Sequence, residues 1–229
     1  MKRKIMHIVT ILTLLAVAFS LAAWALGSDT SLQKAEQGRL SSGQTLKEIG
    51  RQRDVEGEVP ISEGNAEYDD LYLLAKHSDA IVIGRIVKEE SAFSGEDHIV
   101  TTYLVEINRV LSDKMAETIS TLKVLGEHEP PAPLSTPLKI VREGGVVSID
   151  GHHVAKTLRG SEALRVGQDY ILFVNWSRDF KAYRLAGGVS GAVLIDSDLA
   201  VKPLGSGKGL AIHRGTPLES FVAKLLANL

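Results

Sequence analysis

The chain has 229 residues, with 26 lysines and arginines, 28 aspartates and glutamates, and no cysteine. Without the three basic residues near its N-terminus, the chain has 26 − 3 = 23 basic and 28 acidic side chains. Aromatic residues make up only 5% of the chain. Such a chain lacks the basic surface that nucleic-acid binding needs, and without cysteine it has no disulfide, thiolate metal site, cysteine nucleophile or lipid-modified cysteine. We therefore expect no nucleic-acid partner, and we expect a hydrophobic core to stabilise the fold.

The first 27 residues have the pattern of an export signal. The basic residues Lys2–Lys4 precede an uncharged run of 22 residues, Ile5–Leu26, which ends with Ala23-Trp24-Ala25, a sequence with the spacing of an A-x-A cleavage site. A cleaved signal peptide and an uncleaved anchor both fit, because the run is about long enough to span a bilayer. Since basic residues stay in the cytoplasm, both alternatives predict an extracytoplasmic protein that contacts the membrane only through residues 1–27.

Residues 28–66 are polar and rich in glycine and serine, and their apolar residues are too scattered to form an apolar face. This composition predicts a linker or stalk, with one helical piece near Thr45–Arg53. The folded domain is predicted to cover residues 67–229. It opens with a short helix, Tyr68–His77, whose acidic first turn and basic last turn suit the helix dipole.

The β-branched run Ala80–Lys88 is the clearest strand of the domain, and Gly84 within it indicates a bulge or a bend. Tyr170–Trp176 is an apolar run typical of a buried central strand. Gly144-Gly145 predicts a hairpin between two short strands, and Gly187–Gly191 predicts a turn. The other predicted strands are Ile99–Leu111, Thr118–Leu125, Leu138–Arg142, Val146–Ile149, Ala182–Leu185 and Ala192–Ile195.

The C-terminal residues predict a helix. Thr216, Pro217 and Glu219 have the spacing of a capping box with proline at the first helical position. An apolar stripe from Leu218 to Leu229 follows, which we expect to pack against the sheet, with a partner-binding helix as the alternative. Many short strands, glycine-rich turns and few helices indicate a mainly β domain, a barrel or a sandwich. Closing the sheet into a barrel would leave no exposed edge strand that could pair with another chain and aggregate.

Three phrases of this sequence resemble netrin-like domains, which include the tissue inhibitors of metalloproteases. They are His77–Val87, Thr102–Leu111 and Leu164–Phe173. Similar phrases, with a Gly-Gly pair between the second and the third, occur in uncharacterised exported bacterial proteins. The resemblance implies an OB-like barrel of five main strands with added hairpins. It does not extend to inhibition, because the inhibitors use an N-terminal cysteine to reach the protease zinc and this chain has no cysteine.

Histidines next to carboxylates are the candidates for metal binding, but their spacing matches no defined site. Glu96–His98, Glu127–Glu129 and His152-His153 are each expected to be exposed turns or loops. Ser190-Gly191 and Ser206-Gly207 lack the G-x-S-x-G pattern of a nucleophile elbow. We therefore assign no catalytic, cofactor-binding or metal-ligating residue. A metal-dependent or other hydrolase built from the histidine-bearing loops remains the alternative hypothesis.

Trp176, Phe180 and Tyr183 form the predicted binding surface, since aromatic residues at the mouth of a barrel are common in binding sites. In the alternative interpretation Trp176 caps the core. The sequence predicts an exported, non-catalytic binding module of the cell envelope, whose partner is an envelope or extracellular protein or ligand. A structural stalk-and-head protein without a ligand is a third possibility.

Overall fold

The computed structural model describes residues 44–59, 68, 70–116, 133–158, 163–205, 208–227 and 229. The predicted leader, the predicted strand Thr118–Leu125 and the Glu127–Glu129 segment lie outside these residues. The described part of the chain is mainly β, as the sequence predicts. No helix within it is both long and apolar enough to cross a membrane.

Most strands occur where the sequence patterns place them, whereas β1, β6 and β10 of the following list are not predicted. The strands are β1 (Val55–Val59), β2 (Ala80–Ser94), β3 (His98–Asp113), β4 (Leu138–Glu143), β5 (Gly145–Ile149), β6 (His152–Leu158), β7 (Asp169–Ser177), β8 (Ala182–Leu185), β9 (Ala192–Ile195) and β10 (Val201–Pro203). The helices are α1 (Leu46–Gly50), α2 (Leu71–Lys76), α3 (Lys208–Ala211) and α4 (Leu218–Leu226), and a 3₁₀ turn at Gly188–Gly191 joins β8 to β9.

The large sheet has seven strands in the order β10-β9-β7-β2-β3-β4-β8. Its pairs are antiparallel except for β4 and β8, which are parallel and meet at Ile140 and Tyr183. Strand β8 also pairs with β7, where Trp176 lies opposite Tyr183. The pairings that lead from β7 through β2, β3, β4 and β8 therefore return to β7.

Gly84 marks an irregularity in the β2–β3 pair, which confirms the predicted bulge. The register shifts between Ile83 and Gly84. A Cβ at Gly84 would lie 2.6 Å from Val105 Cγ1 and 2.7 Å from Glu106 O. Because neither distance is sterically acceptable, only glycine lets the two strands approach this closely at the bulge.

Val87 is the extra residue at the last of the three register shifts in the same pair. Ile86 lies opposite Val105 and Lys88 lies opposite Leu104, so Val87 has no partner in the register. An extra residue exchanges the faces to which the following side chains point. Even-numbered side chains of β2 therefore face the interior before Val87, and odd-numbered ones face it afterwards.

The outer face of the large sheet is covered by α2, α3 and α4. Phe221, Val222 and Leu225 of α4 are at most 1% exposed and pack in one cluster with sheet residues such as Ile81 and Phe173. This confirms that the apolar stripe of the C-terminal helix packs against the sheet. Burial of such side chains contributes about 1.5–3 kcal/mol each, which makes α4 a main stabilising element of this face.

Helix α4 begins at Leu218, and the predicted capping box is wrong, because the helix has no side-chain cap. Pro217 instead forms an isolated bridge with Ala200 and has extended dihedral angles, φ −57° and ψ 139°. The Leu218 N–H donates to Leu199 O at 2.8 Å. Pairing with the segment before β10 therefore holds Thr216 and Pro217 outside the helix, and it satisfies an N–H that a cap would otherwise serve.

The opposite face of the large sheet encloses a second apolar cluster. Its fully buried members come from every strand of the ring and include Ile86, Val105 and Ile140. Two tyrosines, Tyr170 and Tyr183, are also buried there, each 2% exposed. The Tyr170 hydroxyl accepts a hydrogen bond from Arg165 N–H at 3.0 Å, which satisfies its polar end.

The small sheet has the order β1-β6-β5, with β1 parallel to β6. Its connection to the large sheet corrects a prediction: β4 and β5 belong to different sheets, so Gly144-Gly145 is not a hairpin turn. The positive φ values of 90° and 133° at these glycines let the chain cross from one sheet to the other. The hairpin of this region is instead Asp150-Gly151, where Ile149 lies opposite His152.

Part of the predicted linker packs on the domain. Helix α1 has the predicted position, and Leu46 and Ile49 are only 1% and 7% exposed. Thr45 and Glu48 form its capping box, and Leu46 N–H donates to Asp97 Oδ1 at 2.7 Å. No local pattern indicates this burial, because Leu46 packs with Ile99 and Val154, which are distant in the sequence. The boundary at residue 66 stays a prediction.

Candidate ligand-binding cleft

A cleft of about 530 Å³ opens where the large sheet meets the small one. Strands β2, β3 and β4 line one side, and β5 and β6 line the other. Val146 and Val166 also line it, although they are 56% and 52% exposed, so they lie at its mouth. The cleft is large enough for a small organic molecule or a chain end.

Strand register brings the polar side chains of this cleft together. Glu89 lies opposite Tyr103 and Ser91 opposite Thr101 across β2 and β3. Thr101 also lies opposite Arg142 across β3 and β4. Because directly opposite residues point to the same face of a sheet, all five side chains share the interior face. They form a polar layer above the second apolar cluster, which includes Tyr103.

Two hydroxyl groups in this layer are fixed by hydrogen bonds. Thr101 Oγ1 donates to Gly144 O at 2.7 Å. A hydroxyl has one proton, so Ser91 must be the donor in the 2.8 Å bond that joins the two hydroxyls. A Cβ at Gly145 would overlap Thr101 Oγ1 and lie 2.5 Å from Ser91 Oγ. Both hydroxyl protons are therefore engaged, and the backbone of Gly145 closes the cleft beside them.

Arg142 and Tyr103 are partners in the deep part of the cleft, where the guanidinium hydrogen-bonds to the phenol. Burial raises the pKa of Tyr103 to about 12, and the negative charge of Glu89 adds to this shift. Burial lowers the pKa of Arg142, while Tyr103 and Glu89 act in the opposite direction. Arginine stays protonated in proteins, so a cation and a neutral phenol lie side by side.

Lys156 brings a second cation into the cleft from the small sheet. It is only 9% exposed, and on β6 it lies opposite Gly57 of β1 and Gly145 of β5. A Cβ at Gly57 would lie 3.4 Å from Lys156 Nζ, so the side chain runs along the bare backbone of this glycine. Two basic groups from different sheets thus line the same space.

The acidic residues of the cleft are half-buried or exposed. Glu143 lies 3.1 Å from Arg184 Nη2, and the two side chains are 28% and 26% exposed. Arg184 also stacks over the ring of Phe180, with 5.4 Å between the guanidinium carbon and the ring centroid. Glu89 is exposed. The carboxylate of Glu143 is therefore neutralised by a neighbour, whereas that of Glu89 lies at the edge.

The predicted aromatic surface is only partly formed. The rings of Trp176 and Tyr183 meet edge to face at 5.3 Å. Tyr183, however, is 2% exposed, and burial raises its pKa to about 12, so its assignment to a surface is wrong. It belongs to the interior cluster because β8 pairs on both sides, with β7 and β4. Trp176 is half-buried and packs against that cluster, and Phe180 contacts Arg184 instead.

The histidines do not form a common site within the described residues. His152 and His153 lie on β6 rather than in a loop, which corrects the prediction, and His153 N–H donates to Asp54 Oδ1 at 2.8 Å. His98, the last residue of the predicted turn Glu96–His98, is the first residue of β3. No group of three or more histidine, aspartate or glutamate side chains in the described part could hold a metal ion. His128 lies outside it.

Ser190 lies in the predicted turn between β8 and β9, and it is fully buried. Its Oγ is the only buried side-chain oxygen or nitrogen of the described structure that lacks a hydrogen-bond partner. A Cβ at Gly205 would lie 2.6 Å from this oxygen, so the glycine is needed for close packing. With no exposed surface, Ser190 is placed for packing and not for contact with a substrate.

Sequence reasoning missed the cleft residues. Tyr103 and Thr101 lie within the predicted strand Ile99–Leu111, and Arg142 ends the predicted strand Leu138–Arg142, but no pattern in the sequence joins these residues to Lys156. The only usable signal was the short turn at Gly95–Asp97, which fixes the register of β2 and β3 near their ends. Comparison with known proteins adds no further guide, because no protein-family model and no curated protein matches this chain.

Proposed function

We propose that this protein is an exported, non-catalytic binding module of the cell envelope that holds its ligand in the cleft between its two sheets. The observation that carries the proposal is the polar layer of the cleft, which lies above an apolar interior and opposite strands of the small sheet. Ligand sites in proteins combine such a concave, largely apolar space with a few placed polar groups. The partner is a small molecule or the end of an envelope polymer or protein.

The fold that we propose for this module is an OB-like barrel of netrin-like type. In the ring of pairings, the first strand (β2) pairs with the second (β3), the second with the third (β4), the third with the fifth (β8), and the fifth with the fourth (β7), which returns to the first. The parallel pair β4–β8 is the only parallel contact of this sheet in the described structure. A five-stranded Greek-key barrel of the OB class is the architecture that accommodates this order.

Export is supported by the sequence of the leader, with its basic start, uncharged run and small-residue exit. The non-catalytic character is supported by the hydroxyls of the cleft. The Thr101 proton is donated to a backbone carbonyl and the Ser91 proton to Thr101. An activated nucleophile would instead donate its proton to a general base. These hydroxyls therefore shape the cleft and do not attack a substrate.

The test places a larger side chain at the mouth of the cleft and measures the effect on ligand binding. The full chain, purified in mild detergent, is screened by calorimetry against N-acetylglucosamine, maltose, a tripeptide, citrate and inorganic phosphate. Val146→Trp is expected to weaken any binding by at least about tenfold, because it removes the space that the ligand occupies. Val110→Trp is the matched control, since Val110 is 48% exposed on β3 and does not line the cleft.

Three results contradict the proposal. If none of the five probes binds, or if Val146→Trp and Val110→Trp bind them equally well, the cleft is not the binding site. Turnover of ester, glycoside or peptide substrates by the unmodified chain would show that the protein is a catalyst. The measurements separate the two parts, because the location of binding and the absence of turnover are read independently.

A further inference from the structure

We infer that the ligand is an extended peptide of another protein, which pairs with β5 as an added strand and reaches the cleft at Val146. This inference rests on the proposed function, because it names the class of ligand that the same module holds. Strand β5 is an edge of the small sheet, whose order is β1-β6-β5. Within the described residues, no strand pairs with the side of β5 that faces away from β6.

The turn between β5 and β6 determines which backbone groups lie on this free edge. Asp150-Gly151 has φ values of 51° and 87°, as in a two-residue type I′ turn, so the residues that flank it bond to each other. The pairs then alternate, and the N–H and C=O groups of Val146 and Ser148 point away from β6. His153 supports this alternation. It lies opposite Ser148, and its N–H donates at 2.8 Å to Asp54 Oδ1, on the other side of β6.

Four backbone groups of β5 are therefore placed for pairing with another strand. Val146 is 56% exposed and Ser148 is exposed, and neither makes a backbone hydrogen bond across the free edge to any residue that the structure describes. Each of the two residues offers one donor and one acceptor, two residues apart along the strand. An extended peptide backbone has the same spacing, so it satisfies all four groups at once.

The composition of β5 distinguishes it from the opposite edge of the same sheet. An exposed edge strand can pair with other chains, and proteins usually protect it with charged residues or proline. Strand β1, the opposite edge, contains Glu56 and Glu58. Strand β5 contains no charged residue and no proline. The sheet thus has one protected edge and one edge whose sequence permits pairing.

A single extended peptide fits this edge better than the sheet of a second copy does. Gly145 and Val146, the first residues of β5, line the cleft, and strands of the large sheet line its other side. A peptide is one strand wide, so its end can enter this concave space, whereas the edge strand of a folded domain brings its neighbouring strands with it. Val146 and Val166 at the mouth offer apolar contacts to the side chains of the peptide.

The experiment selects ligands from a pool of random heptapeptides on the immobilised full chain and measures the affinity of the enriched peptides by calorimetry. Ser148→Pro removes an N–H of the free edge and no hydrogen bond to β6, because that N–H points away from β6. It is expected to weaken binding at least about tenfold, since a carbonyl of the peptide loses its donor and the ring obstructs the edge. Ser148→Ala is the matched control. It keeps the N–H, so it should change binding less than about twofold.

Methylation of the selected peptide tests the strand pairing itself. N-methyl groups at every second residue remove the N–H groups from one edge of an extended peptide. Two such peptides, offset by one residue, are compared on the unmodified chain. Because only one edge of an added strand meets β5, one peptide should lose at least about tenfold in affinity and the other less than about threefold.

Each outcome decides the inference. If no peptide is enriched, if Ser148→Pro binds the enriched peptides as tightly as the unmodified chain, or if both methylated peptides lose the same affinity, the inference is overturned. A dimer in light scattering that Ser148→Pro separates, without enriched peptides, would assign the edge to a second copy and overturn it too. If maltose binds, Val146→Trp abolishes its binding and Ser148→Pro does not, the proposed function stands and the peptide is wrong. Should Ser148→Pro not fold, as judged by thermal unfolding, the methylated peptides decide the result.

Discussion

The two halves of β2 differ in what surrounds them. Residues 80–86 pair with β3 on one side, residues 80–85 also pair with β7 on the other, and all of them but Arg85 are buried. Residues 87–94 lie beyond the pairing with β7, which ends at Arg85, and they are exposed or half-buried. The first half contributes to both apolar clusters, with Ile81 in one and Ile86 in the other. The second half contributes Glu89 and Ser91 to the cleft.

One residue, Val87, separates the stabilising half of the strand from the half that forms the cleft. Ile86 faces the interior, and without the extra residue Val87 the alternation would direct Lys88 and Glu90 to that face. The bulge directs Glu89 and Ser91 there instead, opposite Tyr103 and Thr101. Bulges next to functional sites commonly re-aim side chains in this way.

The largest expected effect contrasts two neighbours at the boundary between the halves. Ile86→Ala should reduce the free energy of unfolding by about 2–5 kcal/mol, because it leaves a cavity in the interior cluster. Val87→Ala should change it by about 0.5 kcal/mol or less, since Val87 is 44% exposed at the bulge. Urea denaturation of the two variants measures the difference. Equal losses would mean that Val87 does not separate a buried half from an exposed one.

A second prediction tests how tightly the cleft half is packed. Gly145→Ala should destabilise the protein by about 2–3 kcal/mol, because φ is 133° and the new Cβ meets Ser91 and Thr101. Gly151→Ala is the control: its φ of 87° imposes strain as well, but a Cβ there has no neighbour within 4 Å. It should cost about 1–2 kcal/mol. If both variants unfold at the same urea concentration, the hydroxyl pair does not pack against Gly145.

The sequence predicts the first half of β2 far better than the second. Apolar runs identify Ala80–Lys88 and Tyr170–Trp176 because each is buried on both faces of the sheet. Strands β1 and β6 and the last third of β2 contain many polar residues, and the pairing of β1 with β6 joins distant parts of the chain. Val55 pairs with Val154, for example, and no local pattern indicates this. The hairpin prediction was wrong because the chain passes from the large sheet to the small sheet at Gly144-Gly145.

The cleft was harder to predict than the fold for a related reason. In a strand, residues on the face that carries the large side chains are interpreted as core. Tyr103 and Thr101 lie in such a strand, so their position gave no indication of a functional role. Their contact with Arg142 depends on register, and their contact with Glu89 depends on the bulge at Val87, which no pattern in the sequence reveals. The predicted aromatic site failed in part because Tyr183 pairs on two sides. Sequence patterns indicate which residues are buried, whereas the cleft depends on which strands pair and in which register.

The smallest effect concerns the anchoring of the small sheet that borders the second half of β2. Asp54 accepts a hydrogen bond from His153 N–H at 2.8 Å and lies 3.5 Å from His152 Nδ1. The backbone hydrogen bond from His153 is the main reason why the pKa of Asp54 lies below its ordinary value of 3.8, and the charges of the two histidines add to it. A carboxyl group whose pKa is lower in the folded chain stabilises the fold above its unfolded pKa.

The stabilisation from Asp54 should therefore be complete above about pH 5 and should disappear as the pH falls below 3.8 through the lowered pKa of the folded state. Melting temperatures of the unmodified chain and of Asp54→Asn, measured between pH 6 and pH 2, should accordingly converge at the acidic end. Asp179→Asn, which removes another exposed carboxylate, controls for the loss of one charge. A constant difference between the unmodified chain and Asp54→Asn at every pH would contradict this account, because a contact that does not titrate would then anchor β6.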